Sequence, residues 1–194
     1  MAVEIHDIGV DLLCQYAGIP ITFRVESVLR ADPIEGGLGG IELREEKAVP
    51  PYIKDYDAYE DGGPEAWLRR FDVRNWGFFL AREGGRPVGG ATVAFDSPGV
   101  NMLNGRRDLA VLWDIRVHPG VRGRGIGTAL FCHAAGWSRK RGCRQLKVET
   151  QNVNVPACRF YAAQGCRLGE IDRFAYAGHP EVGREVMLVW YLDL

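Results

Sequence analysis

The sequence predicts a single α/β domain, and three observations carry that prediction. Strand-like segments dominate the first hundred residues. After them, two helical patterns alternate with strands, the order expected of an α/β sheet. The chain has 194 residues, 46% hydrophobic and 25% charged, enough to bury one core. No repeat or low-complexity linker divides it. The domain is therefore read as residues 1–194, with 1–75 as an amino-terminal part and 76–194 as a hairpin followed by the alternating core.

Each element has a local reason. "IPITFRVESVLR" (19–30) is rich in β-branched residues and partly alternating, and it reads as the first strand. "ADPIEGGLGG" is a loop by its glycines and proline. "IELREEKAV" reads as a short strand, and "PPYIKDYDAYEDGGP" as irregular chain. "EAWLRRF" (65–71) fits a short helix with Pro64 at its start. "NWGFFLARE" and "RPVGGATVAFD" form a hairpin around Gly84 and Gly85. "DLAVLWDIRV" (108–117) is a strong strand. The following helix carries an apolar stripe of Ile126, Ala129, Leu130, His133, Ala134 and Trp137, with basic residues in its last turn and a stop at Gly142. "CRQLKVET" (143–150) is the next strand. A helix capped by Asn154 runs to Gln164 and stops at Gly165. "CRLGEIDRFAY" and "GREVMLVWYLDL" are two final strands.

Composition excludes several classes. The start, "MAVEIHDIGV", lacks a basic region followed by an apolar stretch, so it does not read as a secretory signal. No apolar run approaches the ~20 residues that span a bilayer, so no membrane partner is expected. Cys14, Cys132, Cys143, Cys158 and Cys166 are odd in number, with no CxxC spacing. They read as free thiols in a reducing cytoplasm rather than as a zinc site. The four histidines are scattered, so no metal is expected. Residues 1–100 hold 17 acids against 10 bases, and 101–194 hold 8 against 14. Such asymmetry fits two differently charged ligand surfaces, or a solvated surface whose charge varies along the chain. The bases are not interleaved with aromatics, which argues against nucleic acid.

"VRGRGIGT" (121–128) lies between a strand and a striped helix. The first N–H groups of that helix lack intrahelical partners, and its dipole favours an anion there. Gly123, Gly125 and Gly127 remove side chains that would hold a ligand away, and Arg122 and Arg124 add charge. This fits a phosphate or pyrophosphate cradle; a tight turn with close helix–sheet packing is the alternative. The P-loop string is missing, and the dinucleotide fingerprint fails because position 128 is Thr.

The stretch from "LWDIRVHPGVRGRGIG" to "NVNVPACRFYAAQGC" closely resembles the GCN5-related N-acetyltransferase (GNAT) superfamily. The match comprises RxxGxG at Arg122, Gly125 and Gly127, then Asn154, Ala157, Tyr161 and Gly165; Cys166 stands where the family has Phe. "WDIRVHPGVRGRGIG", "ETQNVNVPACRFY" and the late "FAY…VMLVWYL" look most like streptothricin acetyltransferases, which implies a role in antibiotic resistance.

The resemblance implies a mixed central β-sheet splayed between its fourth and fifth strands and flanked by helices. It implies acetyl-CoA as co-substrate, no metal, and direct transfer of acetyl to an amine. Arg122, Gly123, Arg124, Gly125, Gly127 and Thr128 occupy the pyrophosphate positions. Ile115, Arg116 and Val117 match the strand that offers backbone groups to the pantetheine arm, and Asn154 matches a residue that often contacts it. Tyr161 matches the tyrosine that protonates the departing thiolate, a role its neutral phenol suits; packing as a core aromatic beside Ala157 and Phe160 is the alternative. Glu149 and Asp114 are the two candidate bases, with Glu149 ranked first. Each could instead anchor substrate, and a water chain could replace both.

The acceptor should meet the amino-terminal part. Residues 31–65 hold ten acids and three bases, with Tyr52, Tyr56 and Tyr59. "YIKDYDAYEDGG" could receive a small cationic amine or be a solvated acidic loop. A streptothricin-like antibiotic, a polyamine, an aminoglycoside or a peptide amine would fit. Trp76 and Trp113 would line that pocket or belong to the core. A non-catalytic acyl-CoA-binding module and a dinucleotide-binding oxidoreductase are the other classes, and the resemblance leaves a homodimer open.

Overall fold

The computed structural model describes residues 3–59 and 62–194. Their order is β1 (Val3–Asp7), α1 (Leu13–Ala17), β2 (Phe23–Pro33), β3 (Ile41–Lys54), α2 (Pro64–Arg70), β4 (Gly77–Glu83), β5 (Arg86–Ala94), β6 (Leu109–Val117), α3 (Ile126–Lys140), β7 (Gln145–Gln151), α4 (Val155–Ala163), β8 (Arg167–Asp172) and β9 (Met187–Asp193). One sheet has seven strands in the order β1-β4-β5-β6-β7-β9-β8, and β2 and β3 form a separate two-stranded sheet.

The larger sheet is mixed. β1–β4, β4–β5, β5–β6 and β8–β9 are antiparallel. Its fourth and fifth strands, β6 and β7, pair in parallel through Leu109–Gln145, Ala110–Leu146 and Val111–Lys147. Their ladder ends there, although β6 continues to Val117 and β7 to Gln151. Sheet and helices together match the α/β architecture expected from the motifs.

The described residues group into two compact units. One gathers those of Met1–Phe23, Asp55–Lys147 and Asp193–Leu194; the other gathers Arg24–Lys54 and Val148–Leu192. In the first unit, α3 packs on β4, β5 and β6. A second layer around Leu13, Tyr16, Trp67, Trp76, Phe78 and Val111 completes the core. Trp76 is buried there, and Trp113 lies 5.3 Å from it, centroid to centroid. Both tryptophans therefore belong to this aromatic cluster.

Several elements differ from the sequence reading. β1 and α1 escape it because each has only five residues, too few for a period to show. β3 runs through Pro50 and Pro51, where irregular chain is expected. Both prolines are exposed, and a strand of a two-stranded sheet has a free edge where a missing N–H costs no ladder bond. β8 stops at Asp172, so Tyr176 lies in the β8–β9 connection instead of a strand. On α3 the buried face is Ile126, Leu130, Phe131, Ala134, Ala135, Trp137 and Ser138. Ala129 points outward and His133 is half-buried, with its Nε2 2.8 Å from Asp7 Oδ1. Within the acidic segment, Glu60 and Asp61 lie outside the described residues.

Candidate active site

β6 feeds directly into the glycine-rich turn. Its pairing with β5 steps from Thr92–Asp114 to Val93–Leu112, so Trp113 is the extra residue of a bulge. A bulge bends the strand and re-aims the residues that follow, here Asp114 to Val117. Ile115 pairs with Ala91 and Val117 with Gly89, both half-buried. The chain then turns through Pro119–Val121 into α3.

Gly123 (φ 78°) and Gly125 (φ 84°) are left-handed, a conformation that penalises any Cβ. A Cβ at either position would meet no heavy atom within 4 Å, so their outer faces are open. Gly125 caps α3 and, as a glycine, makes no side-chain cap hydrogen bond. A helix start that its cap residue leaves uncovered fits an anionic pyrophosphate. Gly127 follows half-buried inside α3, and Thr128 is exposed. The two arginines are less free than the sequence implies. Arg122 donates from Nε to Val117 O (2.9 Å) and from its terminal nitrogen to Thr22 O (2.8 Å). Arg124 pairs with Glu83 at 2.5 Å, and this pair holds the Glu83 carboxyl below its ordinary pKa.

A second cluster in the same unit is built on Arg116. Its side chain is almost fully buried and bridges two carboxylates, Asp57 at 2.7 Å and Asp114 at 2.8 Å. It also donates to Ile19 O. Asp114 Oδ1 additionally accepts from Tyr16 Oη at 2.5 Å. Gly90 makes room for that tyrosine, since a Cβ there would lie 2.4 Å from the ring. Burial disfavours charge on Arg116, but Asp114 and then Asp57 outweigh it and hold the guanidinium above its ordinary pKa. Burial, reinforced by the Asp114 charge, pushes the Tyr16 phenol well above its ordinary value, so it stays a donor. Arg116 thus offers more than backbone, and Asp114 is occupied by three hydrogen bonds.

In the second unit, Glu149 sits half-buried on β7. Its Oε1 accepts from Tyr176 Oη at 2.6 Å and from Gln151 Nε2 at 3.4 Å, and Gln151 Nε2 also donates to Tyr176 Oη at 2.9 Å. Asn154 caps α4 by accepting from Ala157 N at 3.2 Å. Along α4 the buried residues are Val155, Cys158 and Tyr161, while Ala157 and Phe160 are only half-buried.

Residues 42–166 match the model of the acetyltransferase (GNAT) family. The chain belongs to the GNAT family. Among its relatives are streptothricin acetyltransferases from Escherichia coli and Streptomyces lavendulae. The first is 33% identical over 78% of this chain and 76% of its own length; the second is 33% identical over 88% and 84%. The fold matches a nourseothricin acetyltransferase crystal structure at TM-score 0.77 and 25% identity, over 100% of this chain and 99% of that one. It equally matches, at TM-score 0.77 and 24% identity over the full length of both chains, a Bacillus anthracis str. Ames protein assigned as a streptothricin acetyltransferase and solved with acetyl coenzyme A. As a GNAT enzyme, this protein is an acetyl-CoA-dependent N-acetyltransferase, similar to streptothricin acetyltransferases.

The residues missed at sequence level are Tyr16, Asp57, Gln151 and Tyr176. Gln151 had a signal: at two residues from Glu149 on one strand, it shares that face of the sheet. Tyr16 lies 98 positions from its partner, and no local pattern points to it.

Proposed function

We propose that this enzyme acetylates a primary amine of a small cationic acceptor of the streptothricin type. The observation that carries this reading is the likeness, at 33% identity over most of both chains, to two streptothricin acetyltransferases. Acetyl-CoA, when bound, supplies an acetyl group activated as a thioester. Gly123, Arg124, Gly125, Gly127 and Thr128 hold its pyrophosphate with backbone N–H groups and the α3 dipole, and Arg122 braces the turn against β6. Ile115, Arg116 and Val117 carry the backbone groups that line its pantetheine arm, with Asn154 contributing from the start of α4. Glu149 takes the proton from the acceptor ammonium. Tyr161 holds a proton at Oη for the sulfur that leaves. Asp114, held by Arg116 and Tyr16, is the second candidate for that proton. Five free cysteines fit a reducing cytoplasm.

The test is acetyl-CoA consumption with streptothricin, spermidine, an aminoglycoside and a peptide offered separately. Streptothricin should turn over with the highest kcat/KM. No turnover of streptothricin, alongside turnover of another amine, would reject the acceptor and keep the donor chemistry.

A further inference from the structure

We infer that Tyr176 is a positioning residue for the Glu149 carboxylate, a role that rests on Glu149 being the base. The β8–β9 connection is mostly exposed, yet it turns Tyr176 inward to half-burial. There its hydroxyl donates to Glu149 Oε1 at 2.6 Å while accepting from Gln151 Nε2 at 2.9 Å. The longer Gln151–Glu149 bond, 3.4 Å, closes a triangle of three side chains. A carboxylate rotates freely about its last bond unless hydrogen bonds hold it. Here both bonds reach Oε1, and among the described residues Oε2 accepts none. Oε1 is therefore the anchored oxygen, and Oε2 is the one turned to receive the acceptor's proton.

The connection is itself held in place. At its far end Glu185 forms an ion pair with Lys54, the buried last residue of β3. Beside it, Asn152 accepts from Val186 N at 2.8 Å and donates to Leu29 O at 2.9 Å. Asn152 follows Gln151 directly, so the far end of the connection that carries Tyr176 is tied to β7 beside the triangle. A phenol on such a tethered segment orients its partner at little entropic cost, which is how residues one step from the reacting atoms raise kcat.

The test is a double-mutant cycle on streptothricin, or on whichever amine of the acceptor panel turns over fastest. Tyr176→Phe removes only the hydroxyl and should lower kcat about tenfold, leaving the KM for acetyl-CoA within about twofold. In a Glu149→Gln background, Tyr176→Phe should cause no further loss, because the carboxylate it orients is gone. Gln151→Ala should show the same dependence more weakly. A wild-type kcat in Tyr176→Phe, or an equal fall in both backgrounds, overturns the positioning role. A wild-type kcat in Glu149→Gln overturns the assignment of the base itself, a distinguishable failure. Matched thermal melts confirm that the variants fold.

Discussion

Arg116 shows how one residue can set the character of its surroundings. A guanidinium buried this deeply survives only because the Asp57 and Asp114 carboxyls are both within hydrogen-bond reach. Tyr16 then completes the shell of Asp114. Tyr16→Phe should destabilise the protein by about 1–3 kcal/mol, the worth of a hydrogen bond to a buried charge. Arg116→Leu should cost more, because it strands two carboxylates, and the usual loss on breaking a buried pair is about 3–5 kcal/mol. Urea unfolding of both variants measures the order. A smaller loss in Arg116→Leu would show that water already screens Asp57 and Asp114. At this scale residue types were readable in the sequence, but partnerships were not. The acidity of Asp114 is visible in the sequence; its hold on Arg116 and Tyr16 is not.

At the scale of elements, the turn from β6 into α3 combines two requirements in the same glycines. Gly123 and Gly125 adopt left-handed backbone, and they place no side chain over the start of α3. Gly125→Ala should therefore cost about 1–2 kcal/mol of stability from the left-handed penalty alone. It should also weaken CoA binding, read by calorimetry, with kcat at saturating donor nearly unchanged. Unaltered CoA affinity would mean that the turn serves packing only. The hairpin β4–β5, the strand β6, both longer helices and their glycine stops were legible because period and punctuation are local. The extent of β3 was not. Proline reads as a break until the strand is known to have an unpaired edge.

Across the whole molecule, burial changes the chemistry of otherwise ordinary side chains. Cys158 and Cys166 are buried, and burial pushes their thiols up to about 12 and about 11. Cys14 and Cys132 are exposed. In the unfolded chain the Cys158 thiol would ionise near its ordinary value of 9.0. The folded state keeps the proton longer, so this contribution to stability is complete below pH 9 and fades as pH rises toward 12. Tyr16, raised for the same reason, acts in the same direction at still higher pH. Melting temperature should fall between pH 9 and pH 11.5, and Cys158→Ala should flatten that fall; a parallel decline in the variant would assign it to other groups.

The sequence by itself determined the family and the donor. The glycine turn, the helix stripe and the Asn154–Tyr161 register are local patterns, and local patterns specify backbone conformation and the ligand that backbone can cradle. Tertiary structure decided which polar side chains meet. It committed Asp114 to Arg116 and Tyr16, and it brought Tyr176 onto Glu149 across 27 positions of sequence. The physical reason is that a hydrogen bond is made through space, between groups whose separation along the chain leaves no periodic trace.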